Sequence, residues 1–145
     1  MAAVDVVTEI LINRPVAEIA EFAADPSNAP KWYANIESVS WQTPPPITVG
    51  SRLDFVAHFL GRKLVYTYEV TEFAPNERLV MQTANGPFPM RTTYTWSAAG
   101  DQTRMTLRNQ GESSGFASVS APLMVASMRR ANRHDLQNLK RILER

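Results

Sequence analysis

The stretch RLDFVAHFLGRKLVYTYEVT, residues 52–71, decides the fold. Apolar and polar side chains alternate through both of its halves, and Gly61-Arg62 separates them. A period of two residues is typical of β-strands that bury one face, and a short connection joins antiparallel neighbours. The stretch therefore predicts a β-hairpin. Its inner face is expected to carry Leu53, Phe55, Ala57, Phe59, Leu64, Tyr66, Tyr68 and Val70.

The same alternation extends in both directions along the chain. Turn residues such as Pro75-Asn76 and Gly100-Asp101 separate the stretches downstream of the hairpin. Short loops between successive strands predict an antiparallel meander. Strand 1 has apolar residues at nearly every position, so we expect partial cover on both of its faces. The predicted strands are 4–12, 36–42, 53–59, 64–71, 79–83, 88–97 and 103–110.

Helices are predicted at two places. Pro15 suits the first turn of a helix that follows strand 1, and the prolines at 26 and 30 leave room for one further short helix. Ser120 and Pro122 begin a pattern with helical spacing that continues to the C-terminus. This last helix is roughly 36 Å long at 1.5 Å per residue. One helix is too narrow to fill a curved seven-stranded sheet, so a cavity is expected between the two.

Composition narrows the possible classes of protein. The chain has 145 residues, which predicts a single domain spanning 1–145. A net charge of +1 gives no field for nucleic acid, and the absence of cysteine excludes disulfides and thiolate metal sites. With two histidines in the chain, we predict neither metal nor cofactor. No apolar run is long enough to span a membrane, and residues 1–5 lack the pattern of a signal peptide, so a cytoplasmic location is expected.

Several segments have a recognisable pattern. They are INRPVAEI at 12–19, DPSNAPKW at 25–32, VGS at 49–51, YEVTEFAPNERL at 68–79 and TRMTL at 103–107. Together with the order of elements, they make the chain similar to the START-like (SRPBCC) superfamily, within it to the polyketide cyclase/dehydrase group that includes lipid carriers. The resemblance implies the α+β helix-grip fold. In that fold a seven-stranded antiparallel sheet wraps around a long C-terminal helix and encloses a mostly apolar cavity.

The residues expected to bind a ligand are mainly aromatic residues and methionines on the inner strand faces. Such side chains adapt to irregular hydrophobic ligands, although the same pattern also fits plain core packing. Trp32 joins them because its segment borders the mouth of the cavity in the resembling fold. The candidates are Trp32, Phe55, Phe59, Tyr66, Tyr68, Met81, Met90, Tyr94, Met105, Met124 and Met128.

Candidates for catalysis are fewer. Tyr66 and Tyr94 offer hydroxyl groups, and His58 is the natural acid–base residue. Alternation, however, places His58 on the outer face, as it does Asp54, Glu69 and Arg91, and a solvated strand histidine is the simpler interpretation. The predicted interior is therefore apolar with a few hydroxyls, which favours binding over catalysis.

Two motifs are interpreted as structural. Gly111-Glu112-Ser113-Ser114-Gly115 matches G-x-S-x-G, but the nucleophile elbow of hydrolases needs a parallel sheet, and this chain predicts antiparallel strands. Basic residues from Arg129 onward fit a solvated helix face better than a membrane or nucleic-acid surface.

Three functions remain open from the sequence. The first is binding of a hydrophobic small molecule, such as a lipid, polyketide or aromatic compound, between sheet and helix. The second is a cyclase/dehydratase-type enzyme that uses a cavity Tyr or His. The third is a protein-interaction domain without a ligand. The oligomeric state also remains open, with a homodimer as one possibility.

Overall fold

A computed structural model of the chain describes residues 3–59, 61–85, 89–112 and 121–145. Within these ranges the chain forms seven strands, three α-helices and one 3-10 turn at Pro26–Asn28. The strands are β1 (Ala3–Ile12), β2 (Ile36–Trp41), β3 (Arg52–Phe59), β4 (Arg62–Ala74), β5 (Arg78–Asn85), β6 (Met90–Ala99) and β7 (Gln102–Glu112). The helices are α1 (Val16–Ala24), α2 (Ala29–Trp32) and α3 (Ala121–Leu143).

All seven strands form one antiparallel sheet in the order β1-β7-β6-β5-β4-β3-β2. The hairpin predicted from residues 52–71 is present, and Phe55 pairs with Tyr66 across it. β1 pairs with β7, which brings the first and last strands together, and the strand order puts β1 and β2 at the sheet edges. The predicted helix-grip architecture is confirmed.

The long helix α3 lies against the inner face of the sheet through a stripe of buried side chains. Met124 and Met128 pack with Val4, Val6 and Leu64 near the start of the helix. Further along α3, Leu136 and Leu139 belong to the main core, which also contains residues of α1 and α2. Contacts between Cα atoms connect α3 mainly to β1 and α2, so the helix covers one side of the sheet.

Hydrogen bonds tie the C-terminal end of α3 to the end of β1 and to the loop that follows it. Lys140 Nζ donates to the carbonyl of Leu11 at 2.9 Å, and the Asn13 N–H donates to Glu144 Oε2 at 2.8 Å. The same loop is bonded to β7, because the hydroxyl of Thr103 donates to the carbonyl of Arg14 at 2.7 Å. The bonds of Lys140 and Glu144 therefore hold the end of the helix against the edge of the sheet.

The outer face of β1 differs from the expectation of partial cover. Val7 is 53% exposed and Leu11 is 40% exposed, because α3 and α1 pack only on the opposite face of this edge strand. Among the described residues, no helix is both long and apolar enough to cross a membrane.

Gly111, the first residue of the G-x-S-x-G motif, belongs to antiparallel β7 and pairs with Val4 and Met90. A Cβ atom at this position would come within 2.5 Å of the Pro89 carbonyl oxygen, so close strand packing accounts for the glycine. The rest of the motif from Ser113 lies outside the described residues.

We predict that Leu139→Ala lowers the free energy of unfolding by about 2–5 kcal/mol, because Leu139 is fully buried and its loss leaves a cavity. Leu123→Ala removes the same atoms from the same helix at a side chain that is 54% exposed, and should cost less than about 1 kcal/mol. Urea unfolding followed by circular dichroism measures both. Equal losses would show that α3 is not held by this buried stripe.

Candidate functional site

A cavity of about 140 Å³ lies between the middle of α3 and the inner faces of β3 to β7. Met128, Ala131, Asn132 and Asp135 face it from the helix. The exposed residues Asn35 and His58 also line it, so the cavity reaches the surface near the start of β2. The sheet contributes Phe55, Ala57, Leu64, Tyr66, Tyr68, Met81, Thr83, Met90, Thr92, Tyr94 and Asn109.

Three aromatic rings form one wall of the cavity. Phe55 and Tyr66 are cross-strand partners whose rings stack at a centroid distance of 5.7 Å. The ring of Tyr68 meets both of them edge-on, at 5.5 Å from Phe55 and 5.2 Å from Tyr66. Stacked and edge-on contacts both favour aromatic pairs, so this wall is a rigid apolar surface.

Methionines form a more adaptable part of the lining. Met81 and Met90 come from the sheet and Met128 comes from α3. Unbranched thioether side chains can change rotamer at low cost, so they can follow the outline of a bound molecule. The cavity thus combines a fixed aromatic wall with a deformable one.

Two tyrosines form a hydrogen-bonded pair at the cavity. Tyr33 follows α2 and Tyr94 lies on β6, and their hydroxyl oxygens are 2.6 Å apart. Trp32 packs behind the pair, with ring centroids 4.1 Å from Tyr33 and 5.8 Å from Tyr94. Burial raises the pKa of both tyrosines well above the ordinary value, so both are neutral at pH 7. One hydroxyl donates to the other, and the second proton is available to a ligand.

Asp135 is the ionisable side chain that α3 brings to the cavity. It is only 2% exposed, and its Oδ1 accepts the N–H of Ala34 at 2.9 Å. Burial raises the pKa of the Asp135 carboxyl to about 6, while the hydrogen bond from Ala34 and the nearby His134 oppose this rise. Asp135 therefore changes charge close to neutral pH, inside a mostly apolar space.

A second polar chain connects β4, β6 and β7. The hydroxyls of Tyr68 and Thr92 are 2.8 Å apart, and Thr92 donates to Asn109 Oδ1 at 2.9 Å. Burial raises the pKa of Tyr68 to about 12, against the effect of its bond to Thr92. These groups satisfy one another, which leaves fewer of their atoms available to a ligand.

The structure separates the predicted ligand-binding residues into two groups. Those that line the cavity are Phe55, Tyr66, Tyr68, Met81, Met90, Tyr94 and Met128. Trp32, Met105 and Met124 do not line the cavity and are buried in the apolar clusters. Trp32 packs against Tyr33 and Tyr94, and Met124 packs in one cluster with Met128. The side chain of Phe59 lies outside the described part of the structure.

The predicted catalytic candidates also separate. Tyr66 and Tyr94 both line the cavity. His58 also lines the cavity, where it reaches the surface, but its side chain is 55% exposed and its Nε2 lies 3.3 Å from Glu37 Oε2, as expected for a solvated strand histidine. Asp54 and Glu69 lie on the outer face as alternation indicates, where Asp54 accepts from Gln42 and Thr67, and Glu69 pairs with Arg52 at 2.8 Å. Arg91 is exposed as well.

The interior is more polar than the sequence led us to expect. The residues that we did not predict are Tyr33, Thr92, Asn109, Asn132 and Asp135. Thr92 shares strand parity with Met90 and Tyr94, and Asp135 lies seven residues after Met128 on the buried stripe of α3. The strand and helix periodicities therefore already indicated that Thr92 and Asp135 face the interior.

A wider depression of about 720 Å³ lies on the outside, between α1 and the loop around Pro45-Pro46. Trp41 forms part of its surface, but the indole N–H already donates to the Ser27 hydroxyl at 3.0 Å. The Ser27 N–H is likewise bonded to Asp25. Because its principal donors are paired with one another, we place the candidate site in the inner cavity.

Solved structures with the same fold come from several bacteria. TTHA0849 from Thermus thermophilus is 20% identical, with 96% of each chain covered and a TM-score of 0.80. The Zhui aromatase/cyclase from Streptomyces sp. R1128 is 14% identical over 99% of this chain and 95% of its own, with a TM-score of 0.81. A START superfamily protein from Mycobacterium smegmatis is 16% identical over 97% of both chains, with a TM-score of 0.82.

At these identities the structural matches establish the fold alone, and the predicted START-like fold is confirmed by them. A search of curated proteins gave no match. The family described as polyketide cyclase/dehydrase and lipid transport matches residues 3–144, nearly the whole chain. The chain therefore belongs to the polyketide cyclase/dehydrase and lipid transport family.

Proposed function

We propose that this protein binds a small hydrophobic molecule in the cavity between α3 and the sheet. The observation that carries the proposal is the lining itself, in which aromatic rings and methionines surround a few convergent polar groups. Family membership supports the same class of function.

The size of the cavity limits the ligand. A volume of about 140 Å³ is close to that of an engineered cavity of ~150 Å³ that binds benzene. A compound with one ring fits without any change in the protein. A longer lipid or a polyketide requires Met81, Met90 or Met128 to move aside, which their flexible side chains permit.

The expected affinity is moderate. Burial of roughly 150 Å² of apolar ligand surface contributes about 4 kcal/mol at ~25 cal/mol per Å². The loss of translational and rotational freedom opposes binding. A single-ring hydrocarbon is therefore a weak ligand, and polar contacts determine which compounds bind tightly.

The interaction-domain alternative has less support. Among the described residues, the large apolar side chains that are most exposed are distributed over β1, β4, α3 and a loop. The cavity also reaches the surface rather than being sealed.

We predict that Ala131→Leu weakens toluene binding at least about tenfold, because the larger side chain occupies the cavity. Ala126→Leu adds the same atoms to an exposed position of the same helix and should leave binding unchanged. NMR titration measures both affinities. Wild-type protein that binds neither toluene nor any copurified molecule in native mass spectrometry would contradict the proposed function.

A second candidate function, cyclase/dehydratase-type catalysis, is favoured by one observation: Asp135 lines the cavity and titrates near pH 6. In loss of water from a β-hydroxy ketone, the neutral carboxyl of Asp135 would give its proton to the departing hydroxyl. The resulting carboxylate would then take the proton released by the α-carbon, so the acid is regenerated. The Tyr33–Tyr94 pair could donate to the ketone oxygen.

The raised pKa of Asp135 predicts how stability depends on pH. The value is about 6 in the folded protein against 3.8 for an unperturbed carboxyl, so folding favours the protonated form. The stability that this preference contributes is complete below about pH 3.8 and disappears as the pH rises through about 6. Between pH 4 and pH 7, we expect the free energy of unfolding of the wild type to fall by up to about 3 kcal/mol relative to that of Asp135→Asn.

Urea unfolding at several pH values measures this difference. His134 Nδ1 lies 4.0 Å from Asp135 Oδ1. The comparison is therefore repeated between His134→Gln and the double variant His134→Gln/Asp135→Asn. A difference that stays constant from pH 4 to pH 7 would show that Asp135 does not titrate in this range.

If the protein is an enzyme of this type, Asp135→Asn should lower the rate of β-hydroxy ketone dehydration at least about 100-fold, since a general acid contributes about that much. The wild-type rate should fall above pH 6, where the acid loses its proton. Asp54→Asn, the same change on the outer face, should leave the rate intact. Ultraviolet absorbance of the enone product follows the reaction, and equal rates in all three proteins would exclude this role.

A further inference from the structure

Asn132 has an unusual position on α3. It lies one helical turn after Met128 and lines the cavity, yet it is only 5% exposed. Its amide nitrogen, Nδ2, is buried and has no hydrogen-bond partner among the residues that the structure describes. Buried polar atoms are nearly always paired, so an unpaired amide on a cavity wall needs an explanation.

Packing does not provide that explanation. The neighbouring positions of the same stripe are filled by Met128, Leu136 and Leu139, and an apolar residue at 132 would continue the stripe. The nearby polar groups have other partners: Asp135 accepts from Ala34, and the Tyr33 and Tyr94 hydroxyls bond to each other. A donor on the cavity wall that no neighbouring protein group pairs is available to a bound molecule, which is the pattern of a group kept for binding.

We propose that Asn132 is a specificity-determining residue that donates a hydrogen bond to a carbonyl oxygen of the ligand. This inference rests on the proposed binding function. Rotation about the Cβ–Cγ bond is broad for asparagine, so the amide can turn toward the cavity. A ring attached to that carbonyl would lie against Phe55 and Tyr66 on the aromatic wall.

The charge of the site disfavours an anionic ligand. Among the described residues, the cavity lining contains no lysine or arginine, and Asp135 is mostly ionised at pH 7. A carboxylate or phosphate would meet this negative charge in a poorly solvated space, and the side chain of His58 in the lining is 55% exposed. The inferred class of ligand is therefore a small aromatic ketone without a negative charge.

Acetophenone and α-methylstyrene test this inference, because they have the same shape and differ in a C=O against a C=CH₂ group. NMR titration gives the affinity of each compound for wild type and for Asn132→Leu. The ratio of acetophenone affinity to α-methylstyrene affinity should fall about threefold to tenfold in the variant, as expected for one lost hydrogen bond.

Two further variants complete the design. Trp96→Phe removes another buried, unpaired N–H that lies in the core away from the cavity, and should leave the affinity ratio unchanged. Asn132→Ala removes the amide without adding bulk, and should lower the affinity ratio in the same way as Asn132→Leu. It replaces the leucine variant if that variant does not fold.

The outcomes separate the two proposals. If both compounds bind and the ratio is the same in wild type and in the Asn132 variants, Asn132 does not select a carbonyl, while the proposed binding function stands. If neither compound nor toluene binds to the wild type, the proposed function fails, and the role of Asn132 fails with it.

Discussion

The position of α3 over the sheet is the constraint on which the rest of the molecule depends. The helix packs along β1 and α2, and its C-terminal end is held by the bonds of Lys140 and Glu144 to the loop after β1. A helix is about 10 Å wide, whereas seven strands at roughly 4.8 Å spacing span far more. With α3 fixed against one side, a gap remains between the helix and the inner faces of β3 to β7, and this gap is the cavity.

The cavity also shows how a single helix can serve both structure and function. The two ends of α3 pack in apolar clusters, while its middle turns carry Asn132 and Asp135 toward the open space. Asp135 additionally accepts the Ala34 N–H, so the same carboxyl connects α3 to the segment after α2. Polar groups at these positions reduce the apolar area that the helix buries, and the packed ends supply the stability that the middle lacks.

Much of this architecture could be predicted from the sequence because strand alternation determines which face a side chain occupies. Phe55, Tyr66 and Tyr94 are on the inner face as predicted. Alternation does not reveal what lies above that face, however. Met105 and Met81 share the inner face, yet Met105 lies fully buried in the core, while Met81 faces the gap. Whether an inner-face side chain is packed in the core or faces the cavity depends on the position of α3. That position is determined by contacts between residues far apart in the sequence.

The placement of Trp32 gives the protein a built-in optical reporter. Its indole is 1% exposed and packs against Tyr33 and Tyr94, the two rings whose hydroxyls meet at the cavity. Any molecule that reorganises this pair changes the surroundings of an indole that is itself shielded from solvent. Intrinsic fluorescence can therefore follow occupancy of the interior without a label, provided the emission of Trp41 and Trp96 is subtracted with phenylalanine replacements.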